Sequence, residues 1–316
     1  MKKLLGSLLM AAAMVVAPAV NAATFVVGDV FASIGGGSVN VYSNTGVFKA
    51  TLNTGLGGFT TGSTFDSNGN FYVTAFSAGK VSQFDASGNL VNASWASGLS
   101  LGESIVFDAS GNAYIGQAGA AQIRKVNSTG ATIANFTTLQ NTDWIDLAAD
   151  QKTLIYSNEG SVIRSLDTST LVDTVFTNST GANYAKRIRQ NGDILMASST
   201  GNVFRFNSAG VLQQTYAIGI GSVFALNLDA DGTSFWTGAT GGTALRRVDI
   251  ATGAILTSFN VTGQLFGLSI LGEIQAGGGG CTTNCGGGGN VPEPGTLALM
   301  ALALGLLSFG TRARRN

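Results

Sequence analysis

The chain has 316 residues, of which 45 are glycine, only 11% are charged and none is histidine, and its formal net charge is zero. Setting aside Lys2, Lys3, Glu293, Arg312, Arg314 and Arg315 at the two ends leaves 12 basic and 16 acidic residues between them. That mildly acidic interior excludes nucleic acid as a partner, since a phosphate backbone calls for clustered Lys and Arg, and the lack of histidine removes the Ser-His and Cys-His nucleophile pairs and the commonest zinc ligand.

The N-terminus, MKKLLGSLLMAAAMVVAPAVNAA, starts basic, runs apolar from Leu4 to Val16 and ends in small residues. It predicts a secretory signal peptide over residues 1–22, cleaved after Ala22. The apolar run is short for a permanent anchor.

From residue 60 onward the chain repeats. STFDSNGNFYVTAFSAGKVSQFDASGNLV (63–91) returns as IVFDASGNAYIGQAGAAQIRKVNSTGATI (105–133), and three looser copies follow up to residue 256. The anchor positions Asp66, Asp108, Asp150, Arg189 and Asp229 lie 42, 42, 39 and 40 residues apart. A period near 40 with four short strands per unit is the pattern of a β-propeller blade. Within each unit an apolar strand runs into an Asp/Asn/Gly turn, where Asp and Asn tolerate left-handed geometry and Gly supplies a positive φ. Residues 25–52 look like a unit without its first strand, and LFGLSILGEI (265–274) looks like a first strand with nothing after it. Joined, they make a sixth blade and close the ring, which removes an open sheet edge. The expectation is an all-β, six-bladed β-propeller over 24–275, its first blade closed by both chain ends. A two-sheet sandwich or a parallel β-solenoid would not need the split unit.

Asp66-Ser67-Asn68-Gly69-Asn70 precedes Tyr72-Val73, and Asp108-Ala109-Ser110-Gly111-Asn112 precedes Tyr114-Ile115. In this the units resemble those of NHL-repeat, streptogramin-lyase-like and SMP-30-like propellers. The resemblance covers most of the chain between the termini, and its motif is chiefly a turn signal, so it implies the fold and not an activity. The lyase members depend on histidine, which this chain lacks. The lactonase-like members hold a metal with Glu, Asn and Asp near the ring axis, and no residue here is matched to those ligands. The expectation is therefore a non-enzymatic protein with no catalytic residue, metal or cofactor. The alternative is a propeller-type hydrolase or lyase acting on a small lactone or a polysaccharide.

The end of the chain changes character. Residues 276–290, AGGGGCTTNCGGGGN, read as a flexible Gly-rich linker. Val291, Pro292, Glu293 and Pro294 follow, then an apolar run from Thr296 to Gly310, then Arg312, Arg314 and Arg315. The run predicts a short transmembrane helix with a cytoplasmic C-terminus. This three-part end resembles the PEP-CTERM sorting signal of Gram-negative bacteria over 291–316. The resemblance implies an exosortase, a membrane transpeptidase-like enzyme, as partner. It also implies a transient membrane anchor, and a destination in the envelope, on the cell surface or in an extracellular matrix of exopolysaccharide. The prolines block helix and sheet, which leaves an extended segment for the enzyme to read.

Cys281 and Cys285 are the only cysteines, and in an exported protein they are candidates for a disulfide. Asp229-Ala230-Asp231-Gly232 begins like a calcium loop, but Thr240 stands where the bidentate acid belongs, so a turn is the expectation. At one mouth of the central channel, Glu103, Trp144, Asp146, Tyr184, Lys186 and Arg187 form a candidate pocket for a polar ligand such as a saccharide, with aromatic faces for rings and charges for hydroxyl or carboxylate groups. Residues of these types also serve as salt bridges and caps within a ring.

Overall fold

The computed structural model describes residues 25–281. The expected signal peptide (1–22) and the expected tail helix lie outside the described residues. The chain enters through β1 (Val30–Ile34), β2 (Ser38–Tyr42) and β3 (Phe48–Asn53). Five four-stranded units follow. They are β4 (Thr60–Phe65), β5 (Phe71–Ala75), β6 (Lys80–Phe84) and β7 (Leu90–Ala96); then β8 (Gly102–Phe107), β9 (Ala113–Gln117), β10 (Gln122–Val126) and β11 (Thr132–Thr137). The third runs through β12 (Trp144–Leu147), β13 (Thr153–Ser157), β14 (Val162–Asp167) and β15 (Asp173–Asn178). The fourth is β16 (Asn183–Ile188), β17 (Ile194–Ser198), β18 (Asn202–Phe206) and β19 (Leu212–Ala217); the fifth is β20 (Val223–Leu228), β21 (Ser234–Ala239), β22 (Ala244–Asp249) and β23 (Ile255–Asn260). The last strand, β24 (Leu265–Ile270), pairs back onto β1 with Val30 opposite Ile270 and Ser33 opposite Gly267. Six sheets of four strands result, the first in the order β24-β1-β2-β3. The expected six-bladed propeller, closed by both chain ends, is the fold. Blades are numbered 1 to 6 from this closing one.

Burial follows the position of each strand in its blade. The inner strands β4, β8 and β20 are buried at every residue, whereas the outer strands β11 and β23 alternate between exposed and half-buried. Inner strands are thus buried on both faces whatever their composition, and β4 (Thr-Thr-Gly-Ser-Thr-Phe) fills its place chiefly with small polar residues that hydrogen-bond to their neighbours. Inner strands of neighbouring blades approach very closely. A Cβ on Gly267 would lie 1.9 Å from the Thr61 carbonyl oxygen, and one on Gly62 would lie 2.3 Å from that of Glu103. Only glycine fits such contacts.

The repeated turn has a direct physical reading. Asp66 Oδ1 accepts from the amides of Asn68 and Asn70, and Asp108 Oδ1 accepts from those of Ser110 and Asn112. Gly69 and Gly111 close the two turns with φ of 80° and 79°. In blades 2, 3 and 6 the turn aspartate also buckles the blade. Asp108 Oδ2 lies 2.9 Å from Lys125 Nζ on β10, which also donates to the Tyr114 hydroxyl. Asp229 takes the Trp236 indole N–H at 2.7 Å and lies 3.1 Å from Arg247, so the Asp229–Asp231 stretch is a turn with its acids paired to arginine. Asp66 holds the Tyr72 hydroxyl, which Gln83 also reaches.

Residues 271–281 leave the lower end of β24 and cross the lower channel mouth as a strap. Gln275 donates to Thr64 Oγ1 and to Glu273, and all three are buried. Gly278 bridges to Asp108, the Gln151 side chain donates to the Gly277 carbonyl, and Cys281 returns to the apolar cluster around Phe25, Phe31 and Leu271. The stretch read from sequence as a free linker from residue 276 is thus packed as far as residue 281. Cys281 is 1% exposed and disulfide-bonded; Cys285 lies outside the described residues.

Asp108 shows how the buckles respond to acid. Burial raises its pKa, but hydrogen bonds from Lys125 and Asn112 outweigh that and hold it below the ordinary aspartate value. Its contribution is therefore present at neutral pH and is lost as pH falls below about 4 towards the folded pKa. Asp108→Ala should cost about 2–3 kcal/mol at pH 7, since it leaves Lys125 without its carboxylate. The cost should shrink by pH 3, and urea titrations at the two pH values read both numbers.

Candidate ligand site at the upper channel mouth

Inner strands begin at the upper mouth, and five of the six are irregular there. On β8 the register jumps from Gly102 opposite Gln117 to Ser104 opposite Gly116, leaving Glu103 unpaired. Similar jumps fall between Thr60 and Ser63 on β4, between Asn183 and Lys186 on β16, and between Val223 and Ala225 on β20. On the closing blade Ile34 pairs with Leu265 and Ser33 with Gly267, skipping Phe266. These are β-bulges, which bend a strand and re-aim the extra side chain. The residues so released are Glu103, Tyr184, Phe224 and Phe266, with the small Thr61 at the corresponding place on β4. Strand β12 pairs without a break, and the loop before it supplies Asp143 instead.

Aromatic rings border the mouth on two sides. The Phe224 ring lies 4.8 Å from that of Tyr184 and 5.1 Å from that of Trp144. Across the ring of blades, Phe266 stacks on Phe59 at 4.8 Å, and Phe59 stacks on Phe76 at 5.2 Å. Between blades 3 and 4 sits an acidic cluster: carboxylate oxygens of Glu103, Asp143 and Glu159 all lie within 4.8 Å of one another. Glu159 has a φ of 62°, unusual for a residue with a side chain, and accepts from the Trp144 indole at 3.4 Å.

Lys186 lies beneath this cluster and is fully buried. Its Nζ donates to Ser157 Oγ at 2.5 Å, the Tyr184 carbonyl at 3.0 Å and the Trp144 carbonyl at 3.2 Å. Every partner is neutral. Burial therefore drops its pKa to about 7, although nearby Asp143 and Asp146 pull it upward. The acids move the other way. Burial pushes Asp143 up to about 7, helped by the charge of Glu159, and raises Glu103 well above the usual carboxylate range with Glu159 and Asp143 adding to it. Glu159 is raised by burial, against the hydrogen bond from Trp144. Three oxygen donors so close together, with no histidine or thiol, are the donor set of a hard cation.

Of the six residues read from the sequence, the fold brings together Glu103, Trp144, Tyr184 and Lys186. Asp146 and Arg187 stand lower in the channel. Asp146 Oδ2 accepts from the Ile188 amide at 2.6 Å; Arg187 donates to Asn227 at 3.0 Å and to the Lys186 carbonyl at 2.9 Å, with Asp146 and Glu273 in its field. Asp146 is two residues along β12 from Trp144, which places it about 7 Å deeper. The bulge on β16 sets the backbone of Lys186 level with Asp146, since their partners Met196 and Ile155 are each two residues from the paired serines Ser198 and Ser157, and only its ammonium reaches up to Ser157 and the Trp144 and Tyr184 carbonyls. A gapless stacking of the repeats puts Ala185 there.

Asp143 and Glu159 were missed, although a signal existed. Glu159 is the only acid in the six loops that join second to third strands, and Asp143 is the only one in the six segments that lead into inner strands.

The far end of the chain carries a recognisable sorting signal. Residues 290–315 are a PEP-CTERM protein-sorting motif. The motif marks an exported exosortase substrate with a C-terminal membrane-anchoring sorting signal. Pro292, Glu293 and Pro294 fall inside it, as do Arg312, Arg314 and Arg315. No curated protein matches the chain. Among solved structures, this chain is similar to a chain of a nidogen/laminin complex, at 13% identity and a TM-score of 0.66 over 76% of this chain and 97% of that one. It is also similar to a streptogramin B lyase at 16% identity and a TM-score of 0.52, covering 64% of this chain and 68% of that one. A virginiamycin B lyase from Staphylococcus aureus gives 14% identity and a TM-score of 0.50, over 64% of this chain and 70% of that one. Likeness at this level concerns the fold.

The crowded carboxylates carry a stability consequence. In metal-free protein at pH 8, Asp143→Asn removes one of three like charges and should stabilise the fold by about 1–2 kcal/mol. Thermal melts in chelator read this directly. A lower midpoint for the variant would mean that the Asp143 carboxylate is well accommodated as it stands.

Proposed function

We propose that the protein is an exported, non-enzymatic propeller delivered by its sorting motif to the cell envelope or extracellular matrix, where the upper mouth binds exopolysaccharide or a similarly polar polymer. The observation that carries this reading is the placing of the two ends. The aromatic and acidic residues gather at the upper mouth, while the chain leaves from the strap at the lower one. The motif begins nine residues after Cys281, a reach of at most about 30 Å. An anchored molecule would thus be held by its lower face with the ligand-facing mouth outward. Partly exposed aromatic faces such as Tyr184, Phe59 and Phe266 suit sugar rings, and the charges beside them suit hydroxyl or carboxylate groups.

A second reading has its own support. Carboxylates shifted upward beside a lysine shifted downward are the kind of pair that general acid–base chemistry uses, so a hydrolase or lyase acting on a small molecule or polysaccharide at the same mouth is the alternative. Depolymerisation assays on the bound polymer separate the two, because a binding protein leaves chain length unchanged.

Two measurements test the main reading. Intact mass of the mature protein from its native host should lack both residues 1–22 and the apolar run 296–310; a mass retaining the run would refute exosortase processing. Co-sedimentation of that protein with the host's extracellular polysaccharide should saturate, and Tyr184→Ala with Phe266→Ala should weaken it about tenfold, equivalent to about 1.4 kcal/mol. Binding untouched by the double change would remove the upper mouth from consideration.

A further inference from the structure

We propose that Glu103, Asp143 and Glu159 form a binding site for one hard divalent cation of the calcium class, and that the bound cation completes its shell with hydroxyl or carboxylate oxygens of the polymer at the upper mouth. The second half rests on the function proposed above; the first does not.

Two oxygens on one calcium ion, each about 2.4 Å from it, lie at most about 5 Å apart. The three carboxylates, within 4.8 Å of one another, already meet that condition from two adjacent blades. An acidic cluster alone would not suffice, since such groups also occur unoccupied on protein surfaces. Here, though, Asp143 is only 8% exposed, and its Oδ1 is buried without any hydrogen-bond partner. Glu103 is 5% exposed, and among the described residues nothing donates to its carboxylate. Leaving buried oxygens unpaired is costly, and each such case needs a reason.

The nearby lysine does not supply it. Lys186 spends all three N–H bonds on Ser157 and the carbonyls of Tyr184 and Trp144, and among the described residues no ion pair reaches any of the three acids. Like-charged carboxylates this close repel one another, and a divalent ion held between them relieves that repulsion. All donors are oxygen, which suits calcium or magnesium and not softer metals. The three protein ligands, one oxygen each, fill at most half of calcium's six to eight positions. The rest face the mouth, where water or a ligand's paired oxygens complete the shell. The lysine beneath then closes the site from the channel side.

Terbium is a probe suited to this geometry, because the Trp144 indole already touches Glu159. With mature protein stripped by chelator, tryptophan-sensitised terbium luminescence should appear and be displaced by calcium. Calorimetry with calcium chloride should give one site with a dissociation constant of about 0.1–1 mM, the range of extracellular modules. Glu103→Gln and Asp143→Asn should each weaken it tenfold or more, while the exposed-turn change Asp85→Asn should leave it unchanged. Circular dichroism and melting in chelator verify that each variant is folded. No saturable binding up to about 10 mM calcium or magnesium, or binding undiminished in both variants, overturns the site. Polymer co-sedimentation repeated in chelator separates the two halves. Polymer binding indifferent to calcium in protein that binds the ion defeats the bridging role and leaves the polymer reading. Ion binding without any polymer binding keeps the site and defeats that reading.

Discussion

The pairing of β24 with β1 is the constraint on which the rest of the molecule depends. Without it, blade 1 would lack its inner strand, and β4 and β20 would lose the neighbour that each packs against. The channel exists only as a closed ring, so both mouths owe their shape to one antiparallel pairing between residues 30–34 and 265–270. Because this contact joins the two ends of the propeller sequence, its loop-closure entropy is that of almost the whole domain. The Ser63–Ser269 hydroxyl pair at 2.9 Å and the close passage of Gly267 over Thr61 fix the closing strand on its other side.

Closure also explains why the upper mouth is chemically unusual. Six inner strands must converge to within van der Waals contact, and small residues are the first accommodation. Bulges are the second: where a strand turns into the mouth, one extra residue is expelled from the ladder and its side chain is freed from both neighbours. Glu103 is one such residue. It reaches Asp143 and Glu159 because blade 3 gives up a ladder pair while blade 4 does not. The desolvation that lifts their pKa values comes from the same convergence. A charged cluster in this position is destabilising unless something neutralises it, and the fold tolerates it because the surrounding sheets determine the backbone so completely.

The architecture was legible because it is periodic. Asp66, Asp108, Asp150, Arg189 and Asp229 mark one turn in successive blades, and their spacing counted the units; the half-units at 25–52 and 265–274 gave the closure. Glu103, Trp144, Tyr184 and Lys186 were also readable, as residues that break the repeat near the start of an inner strand. Depth within the channel was not. One inserted residue in β16 shifts Lys186 by a level, and a bulge has no signature in composition, so Asp146 and Arg187 appeared to belong with residues about two positions above them. Asp143 and Glu159 lie in loops, where a lone acid is unremarkable until the neighbouring blade is known. The strap escaped for a related reason. Ala276-Gly277-Gly278-Gly279-Gly280 reads as a spacer, but a Cβ on Gly279 would come within 2.5 Å of Phe107, so here glycine permits close packing and does not signal freedom.

The strap ties sorting to folding. Its first residues continue directly from β24, so any force on the anchored tail passes into the strand that closes the ring. Buried Glu273 and Gln275, the bridge from Gly278 to Asp108, and disulfide-bonded Cys281 lie between the tail and that strand. Together they distribute such a load over blades 1 to 4 before it can peel β24 from β1. A free glycine linker starting at residue 276 would deliver the load straight to the end of β24, the place where the ring is held by one chain terminus alone. On this argument the packed glycines 277–280 belong to the propeller.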